Sequence, residues 1–558
     1  MTTMATRLEA GVLERRFRFA EHGTTLGRDT FAGMTTFVVM SYIIFVNPAI
    51  LSFAGITGLE NRGLAFDAVL ASTCLVAGVM TILMGLVANK AYAIAPGMGL
   101  NAVVAFGLVA GAGLSWPEAM GIVVLEGALV TLLVLTGMRE SVMRAVPLEL
   151  KKAIAIGIGL FIAFIGLYNS GLIAKAAAPG LPVELGRFTT WPVLTTIVGL
   201  AITIVLRARG YRGALLLGII ATTLFAVLVN KATDYEAGFT AGAVWPNDIV
   251  SSPNFSLIGE FSFGAFATLG VVSALVWVFA LFLSDFFDTM GTLVGVGRPA
   301  GYLNKDGEMD DVKRPLLVDS LSAMAGGAAS SSSATTYIES GAGVEAGGRT
   351  GWTSVVTGVL FFPFLFLAPL IGMVPPQATA PALIIVGWLL ISSLTEAEGE
   401  ADEVETGRTG PGVKLAGIDF HDLAIGLSAA LIIMIMPFTW SITNGIGFGF
   451  IAYTLVRVAQ GDGRKVHPFM YGATAAFVLY FMSPSSRTTS PGSSGHGGTH
   501  GSPVVPLLLR AAPWRAVRLP TGKARLRRQR FITRRPKTEK ERRPDRCSVS
   551  RTSLWMKA

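Results

Sequence analysis

Residues 91–103, AYAIAPGMGLNAV, and residues 329–348, ASSSSATTYIESGAGVEAGG, interrupt apolar sequence with Gly, Pro and Ser. A lipid bilayer tolerates irregular backbone only where protein or a water-filled cavity surrounds it. The two stretches are the third and tenth of fourteen candidate segments, so each holds the same place in one of two seven-segment halves. Such a pair predicts two inverted repeats with a binding site between them. The alternative is a pair of loops or tight helix crossings made of small residues.

The composition is typical of a polytopic membrane protein. Hydrophobic residues make up 52% of the 558 residues and charged residues only 15%, whereas soluble domains carry about 25% charged residues. A spanning helix needs about 20 apolar residues. The candidate segments are 31–53, 67–88, 96–110, 117–137, 150–170, 191–207, 211–230, 266–290, 314–328, 336–348, 350–373, 379–395, 421–438 and 440–459. We therefore predict an all-α integral membrane fold, and we interpret a further apolar stretch, 467–482, as interfacial or half-buried.

Charge and polarity divide the chain into three predicted regions. Residues 1–30 form a polar leader without the apolar core of a signal peptide. Residues 31–482 form the membrane domain, with the repeats at about 31–230 and 266–459. The remaining tail, 483–558, is rich in Gly, Ser, Pro and Arg, which predicts disorder. Binding to anionic lipid headgroups and a frame-shifted extension are the two interpretations of this tail, and neither assigns it a function.

The distribution of basic residues predicts the orientation and limits the functional classes. Lys and Arg concentrate in alternate loops, and the positive-inside rule then places both termini in the cytoplasm. The tail holds 18 of the 45 basic residues, so the net charge of +9 gives no reason to expect nucleic acid binding. The sequence has no Gly-Lys-Ser/Thr loop, no metal-binding His/Cys spacing and only two cysteines. We expect no cofactor, no metal and no enzymatic activity.

Carboxyl groups inside predicted spans are the main functional candidates, because each costs roughly 2.5–3.5 kcal/mol there. Asp285 and Asp288 lie three residues apart on one helical face of the eighth segment. Either could accept hydrogen bonds from the N–H groups of a solute or take up a proton. The alternative is a helix–helix contact, in which the carboxylate is bonded to a neighbouring Ser, Thr or backbone group.

Polar side chains also concentrate at the two broken segments. Glu339 lies beside Thr336 and Tyr337 among several serines, a surface that indicates ligand recognition unless it is an exposed loop. Asn101 follows the glycines of the third segment, and its amide could bind the edge of a heterocycle or cap a half-helix. Asp319, in the ninth segment, is interpreted either as a proton-relay group or as a partner of the eighth segment.

At these motifs the sequence resembles the nucleobase–ascorbate/nucleobase–cation symporter-2 superfamily, in its adenine/guanine/hypoxanthine permease branch. The resemblance runs from about residue 17 to about residue 482 and depends on six motifs in order. They are MSYIIFVNPAIL (40–51), APGMGLNA (95–102), PLELKKAIAIGIGLFIAFIGL (147–167), DFFDTMGTL (285–293), VDSLSA (318–323) and TTYIESGAGVEAGGRTG (335–351).

The resemblance implies fourteen segments in two inverted repeats, divided into a core and a gate domain, in a proton-coupled purine importer of the cell inner membrane. It implies substrate binding by Asp285, Glu339 and Asn101, with Thr336 and Tyr337 beside them. It implies a transport role for Asp319, and the proton-coupling candidates are Asp285, Asp288 and Asp319. A homodimer is left open.

Three rival functions remain beside a purine symporter. The first is the same fold moving uracil, xanthine or an anion, although a buried acidic pair repels anions. The second is a channel, which would line its pore with rings of charge or carbonyl groups. The third is a membrane enzyme, which would need a nucleophile–base or metal constellation, and histidine is nearly absent from the predicted spans. One departure from the family pattern is Val103, where we expect an aromatic residue that would shape the pocket.

Glu126 is a further carboxyl group inside a predicted span, in the fourth segment, and we expect it to be structural.

Overall fold

The computed structural model describes residues 11–54, 56, 58–59, 61–137, 145–176, 182–304, 309, 311–396 and 417–482. The tail beyond residue 482, with its predicted disorder, lies outside these residues. The helices are α1 (Val12–Phe17), α2 (Leu26–Met40), α3 (Ile43–Leu51), α4 (Phe66–Ala88), α5 (Met98–Ala102), α6 (Trp116–Thr136), α7 (Leu148–Asn169), α8 (Trp191–Ala208), α9 (Ala214–Ala232), α10 (Ala265–Leu269), α11 (Val271–Ala300), α12 (Lys313–Ala328), α13 (Ser340–Glu345), α14 (Gly351–Val359), α15 (Ala368–Gly372), α16 (Pro376–Glu396), α17 (Leu423–Phe438), α18 (Ile442–Ala459) and α19 (Pro468–Met482).

Four short strands and three irregular helices complete the described chain. The strands are β1 (Ile94–Pro96), β2 (Ile173–Lys175), β3 (Val183–Leu185) and β4 (Ala334–Thr336). The pairs are β1 with β4 and β2 with β3, both antiparallel. A π-helix continues α5 over Val103–Gly111, and 3-10 turns lie at Phe362–Phe366 and Gly463–Lys465.

Length and hydropathy make the described chain a multi-pass membrane protein. Eight helical stretches are long and apolar enough to cross a bilayer. They are Leu26–Leu51, Phe66–Ala88, Trp116–Thr136, Leu148–Asn169, Trp191–Ala208, Ala214–Ala232, Val271–Ala300 and Ile442–Ala459. Shorter apolar helices lie at Met98–Gly111, Gly351–Phe366, Pro376–Ser392, Leu423–Phe438 and Pro468–Met482. The mostly helical membrane fold is therefore confirmed, with two short strand pairs that the all-α prediction did not include, whereas the fourteen crossings and the inverted repeats stay predictions.

Capping residues move several boundaries from where hydropathy alone places them. Helix α2 begins before the predicted segment, because the Thr25 side chain accepts a hydrogen bond from the Arg28 N–H and caps the helix. Helix α11 extends past the predicted end at residue 290 as far as Ala300. It lies between Gly270 and Gly301, whose φ angles of +78° and +73° suit glycine and mark the two ends.

The helices pack in two groups. In the first helix group, α14 packs on α2 and α4, α12 packs on α4 and α6, and α11 packs on α6. In the second helix group, α16 packs along α7 and contacts α8 and α9, while α17 packs on α7 and α18. The breaks at β1 and β4 belong to the first group. The division leaves a boundary between the groups, and the cavity described below lies on it.

Close contact within the second group depends on glycine. A Cβ atom on Gly159 of α7 would lie 2.6 Å from the backbone oxygen of Gly387 on α16, so the two backbones touch. Small residues allow such packing between membrane helices, where van der Waals contact replaces the hydrophobic effect.

Gly387→Val is expected to lower the melting temperature of the purified protein, because overpacking a close contact costs typically 1–3 kcal/mol. Gly472→Val is the matched control, since a Cβ there meets no heavy atom within 4 Å. Equal melting temperatures for the two variants would contradict the close α7–α16 contact.

Candidate functional site

The two broken segments meet as an antiparallel strand pair. Ile94 lies opposite Thr336, and Pro96 lies opposite Ala334. The pairing extends beyond the strands, since the Gly97 N–H donates to the Ser333 oxygen at 2.8 Å. Short strands can exist inside a membrane domain where protein surrounds them, and all six residues of this strand pair are buried. The structure thus brings together the two stretches that the sequence singled out.

Strained backbone leads into the second strand. Ser330 and Ser332 adopt φ angles of +53° and +74°, a region that non-glycine residues rarely occupy. The turn is held from both sides: the Ser331 N–H donates to the Gly326 oxygen at 2.9 Å, and Asn47 donates to the Ser331 oxygen at 3.1 Å. These two hydrogen bonds hold the strained backbone of the turn, and strained backbone of this kind is common at functional sites.

A cavity of about 360 Å³ lies beside this strand pair and between the two helix groups. The first group contributes Tyr42, the backbone turn 97–100, one face of α11 and residues 336–339. The second group contributes α7 from Leu148 to Ile158 and α16 from Val386 to Leu390. Pockets for small molecules are concave, mostly apolar and provided with a few polar groups, and this cavity has that character.

Two carboxyl groups line the cavity, Asp288 and Glu339. Both are half-buried, and they are close enough to interact electrostatically. The Tyr42 hydroxyl donates to Oε1 of Glu339 at 2.5 Å, which fixes that side chain. Thr336 and Tyr337 also line the cavity, and the Tyr337 hydroxyl donates to the Pro96 oxygen at 2.5 Å. The arrangement offers acceptors to N–H groups beside the apolar ring of Phe287.

Asp285, predicted as a substrate carboxylate, does not line this cavity. Its side chain is fully buried one turn from Asp288, and no N–H or O–H group of the described residues donates to either oxygen. Its hydrogen-bonding neighbour is another carboxyl, that of Glu126 on α6. The two acids lie on neighbouring parts of one face of α11, but three residues rotate the helix by about 300°, so their side chains point in directions about 60° apart and meet different neighbours.

Asp319 is fully engaged with the strand pair. Its carboxylate accepts from the Thr336 N–H at 2.8 Å, from the Thr289 hydroxyl at 2.7 Å and from the Thr335 hydroxyl at 3.3 Å. Thr289 belongs to α11, so of the two interpretations of Asp319 the contact with the eighth segment is present. The carboxylate positions β4, whose next residues line the cavity.

Asn101 is also outside the cavity lining. It lies fully buried in α5, and neither its amide oxygen nor its amide nitrogen has a hydrogen-bond partner among the described residues. Val103, the departure noted in the sequence, is buried at the start of the π-helix and is absent from the residues lining the cavity. Its small side chain therefore does not shape the cavity wall directly.

Sequence reasoning missed several polar residues at the cavity, among them Tyr42, Lys151 and Lys152. Tyr42 lies in the MSYIIFVNPAIL motif, which carried the resemblance but gave no sign of a role for the hydroxyl. The positive-inside argument uses Lys151 and Lys152 only as basic residues at a cytoplasmic helix end, whereas in the structure they lie in the first two turns of α7 and line the cavity. The Lys151 ammonium stands 5.4 Å from the ring centre of Phe287, a cation–π contact across the boundary between the helix groups.

Comparisons with known proteins match most of the chain. A model described as Permease family, for xanthine and uracil permeases, matches residues 27–401. "Adenine permease AdeP" of Escherichia coli K12 is 38% identical over 471 residues, covering 84% of this chain and 96% of AdeP. "Guanine/hypoxanthine permease PbuG" of Bacillus subtilis 168 is 37% identical over 469 residues, covering 84% of this chain and 98% of PbuG.

A solved structure shares the fold. The structure of SLC26A9 aligns with a TM-score of 0.52 at 10% identity, covering 78% of this chain and 65% of that chain. At this identity the likeness concerns the fold alone. The resemblance found from the six motifs is confirmed by the family match and by the named relatives.

Proposed function

Because this chain belongs to the xanthine/uracil permease family, we propose that it imports purine nucleobases across the cell inner membrane by proton symport. It is a transporter and not an enzyme. The named relatives act on adenine or on guanine and hypoxanthine, and these bases share a bicyclic ring with N–H donors at its edge. The observation that carries the proposal is the cavity between the helix groups, which presents two carboxyl groups and an aromatic ring.

Asp288 and Glu339 are the proposed substrate carboxylates. A carboxylate that accepts from a ring N–H makes a charge-assisted bond, roughly twice as strong as a neutral one. Phe287 adds an aromatic ring to the cavity wall, and Thr336 and Tyr337 add polar groups at the strand end. This assignment moves the eighth-segment role from Asp285 to Asp288. Asn101 keeps an indirect role through the turn 97–100.

The two helix groups support alternating access. Every residue that lines the cavity belongs to one group or the other, so a movement of one group against the other would open and close it. The first group corresponds to the proposed core domain and the second to the proposed gate domain. Lys151 and Lys152, which the charge rule assigns to the cytoplasmic side, line the cavity. The arrangement fits a state that opens inward.

The rival functions fit the cavity less well. An anion beside the strand pair would meet Asp288 and Glu339 and would be repelled there, whereas the two lysines of the cavity lie on the α7 side. A channel would line a continuous pore with rings of like groups, whereas these acids occupy two neighbouring elements beside one closed strand pair. Uracil and xanthine stay possible cargoes of the same site, because their ring edges also carry N–H donors.

Uptake of radiolabelled adenine, guanine, hypoxanthine, xanthine and uracil in a transport-null host tests the function. We expect accumulation of at least one purine, and we expect a protonophore to abolish it, since carboxyl groups are the available carriers of coupled charge. A sodium requirement that survives the protonophore would refute proton coupling. Failure to take up any purine, with the protein present in the membrane, would refute the proposed function.

A further inference from the structure

A second pair of carboxyl groups lies apart from the cavity. Glu126 of α6 and Asp285 of α11 are both fully buried and lie within hydrogen-bonding reach of each other. Neither residue lines the cavity that holds Asp288 and Glu339. From its sequence context Glu126 is expected to be structural, and it takes no part in lining the cavity.

The pair lacks the donors that a buried anion needs. Ser333 donates its hydroxyl to Oε2 of Glu126 at 3.1 Å, while Oε1 of Glu126 and both oxygens of Asp285 have no donor among the described residues. The charged groups that act on the pair are other acids: Asp319 acts on both members and Asp288 acts on Asp285. No basic side chain of the described part of the chain is among them.

A single proton shared by the two carboxyl groups would remove the repulsion between them and supply a hydrogen-bond donor. Two adjacent carboxylates without a cation repel each other strongly away from water, and a buried acceptor without a donor is destabilising. One proton between them converts one group into an acid whose O–H donates to the other. Pairs of carboxyl groups that share a site and a proton in this way are known in proteins. The missing donor is therefore supplied by the proton itself.

We propose that Glu126 and Asp285 together form the proton site of the carrier, separate from the carboxyl groups that bind the base. On loading, an O–H bond forms on one carboxyl group and is donated to the other; on unloading, that bond breaks and the proton returns to water on the opposite side. The inference rests on the proposed function, because it identifies where the proton of the proposed purine symport binds.

Two connections link the pair to the cavity. Asp285 and Asp288 are one turn apart on α11, so the charge of the pair is felt by a cavity acid. Ser333 donates to Glu126 with its hydroxyl and accepts the Gly97 N–H with its carbonyl oxygen. Gly97 begins the turn that lines the cavity. Loading the pair with a proton can therefore favour the geometry that receives the base.

The test compares coupled accumulation with proton-independent exchange in proteoliposomes. Glu126→Gln is expected to bind purine and to exchange labelled for unlabelled purine like the parent protein. Its net uptake under an imposed pH gradient should no longer exceed equal concentrations inside and outside, and the pH dependence of uptake should flatten. Glu126→Asp keeps the acid and should restore accumulation. Glu118→Gln, in the first turn of the same helix, is the matched control and should behave like the parent, because glutamine also completes the capping box with Ser115.

A direct measurement of protons complements the transport test. Purine added to the purified parent protein in weakly buffered detergent solution should draw protons from the medium, and Glu126→Gln should lack that uptake. Parental accumulation and pH dependence in Glu126→Gln would overturn the inference while leaving the proposed function intact. Loss of purine binding in that variant, or absence of Glu126→Gln from the membrane while Glu126→Asp and the control are present, would show that the pair is structural and would overturn the inference as well. Failure of the parent protein to transport purine would instead refute the proposed function.

Discussion

Asp288→Asn is expected to abolish measurable purine uptake while the protein still reaches the membrane. Hydrogen bonds to charged groups contribute about 1.5–3 kcal/mol, so the loss of this carboxylate should weaken purine binding roughly tenfold to a hundredfold. Binding of labelled purine to the purified variant measures the loss. Asp311→Asn is the control, because Asp311 lies at the surface in a loose contact with Arg314 at 3.4 Å.

Glu339→Gln forms the second arm of the same prediction. The amide still accepts a hydrogen bond, yet it also donates one, so the order of preference among purines should change more than total uptake falls. Tyr42→Phe should change preference in the same direction, since Tyr42 holds Glu339 by its hydroxyl. If Asp288→Asn and Glu339→Gln are both abundant and both transport the same purines as the parent protein, the two carboxylates are not the substrate site.

Asp319→Ala is expected to destabilise the protein and to lose transport. The substitution leaves the buried Thr336 N–H without its acceptor, at a cost of about 1–3 kcal/mol, whereas Thr289 and Thr335 can still bond to each other at 2.8 Å. Melting temperature and uptake should therefore fall together. Asp319→Asn keeps an oxygen for Thr336 and should melt between the alanine variant and the parent protein.

The same two variants separate the two interpretations of Asp319. A proton relay would make Asp319→Asn as inactive in accumulation as Asp319→Ala while leaving its melting temperature at the parental value. A positioning role requires that the asparagine variant partly recovers both the melting temperature and the uptake of the parent protein.

The sequence predicts the membrane fold and the meeting of the two broken segments, because both follow from local chemistry. Gly, Pro and Ser within apolar sequence can exist only at a protected break, and two such breaks at matching places indicate one site. The register of β1 against β4 could not be predicted, since a three-residue strand carries no side-chain alternation long enough to fix it.

The choice between Asp285 and Asp288 shows where sequence reasoning ends. Both acids lie on neighbouring parts of one helical face, so spacing alone cannot say which one meets a cavity. The neighbour that decides it is Glu126, which approaches Asp285 from α6, more than 150 residues away in the chain. Lys151 raises the same difficulty, because a loop charge and a cavity charge look alike before the helix start is known.

The strand pair also bears on how such a carrier can change its cargo. Its two halves are joined by main-chain hydrogen bonds and by the register of Ile94 with Thr336, and main-chain groups are the same whichever side chains they carry. Side chains around it can therefore be exchanged during evolution without dissolving the frame that presents them. Divergent relatives could acquire new substrate preferences through a few replacements at the rim of the cavity, while the architecture that moves the solute is inherited unchanged.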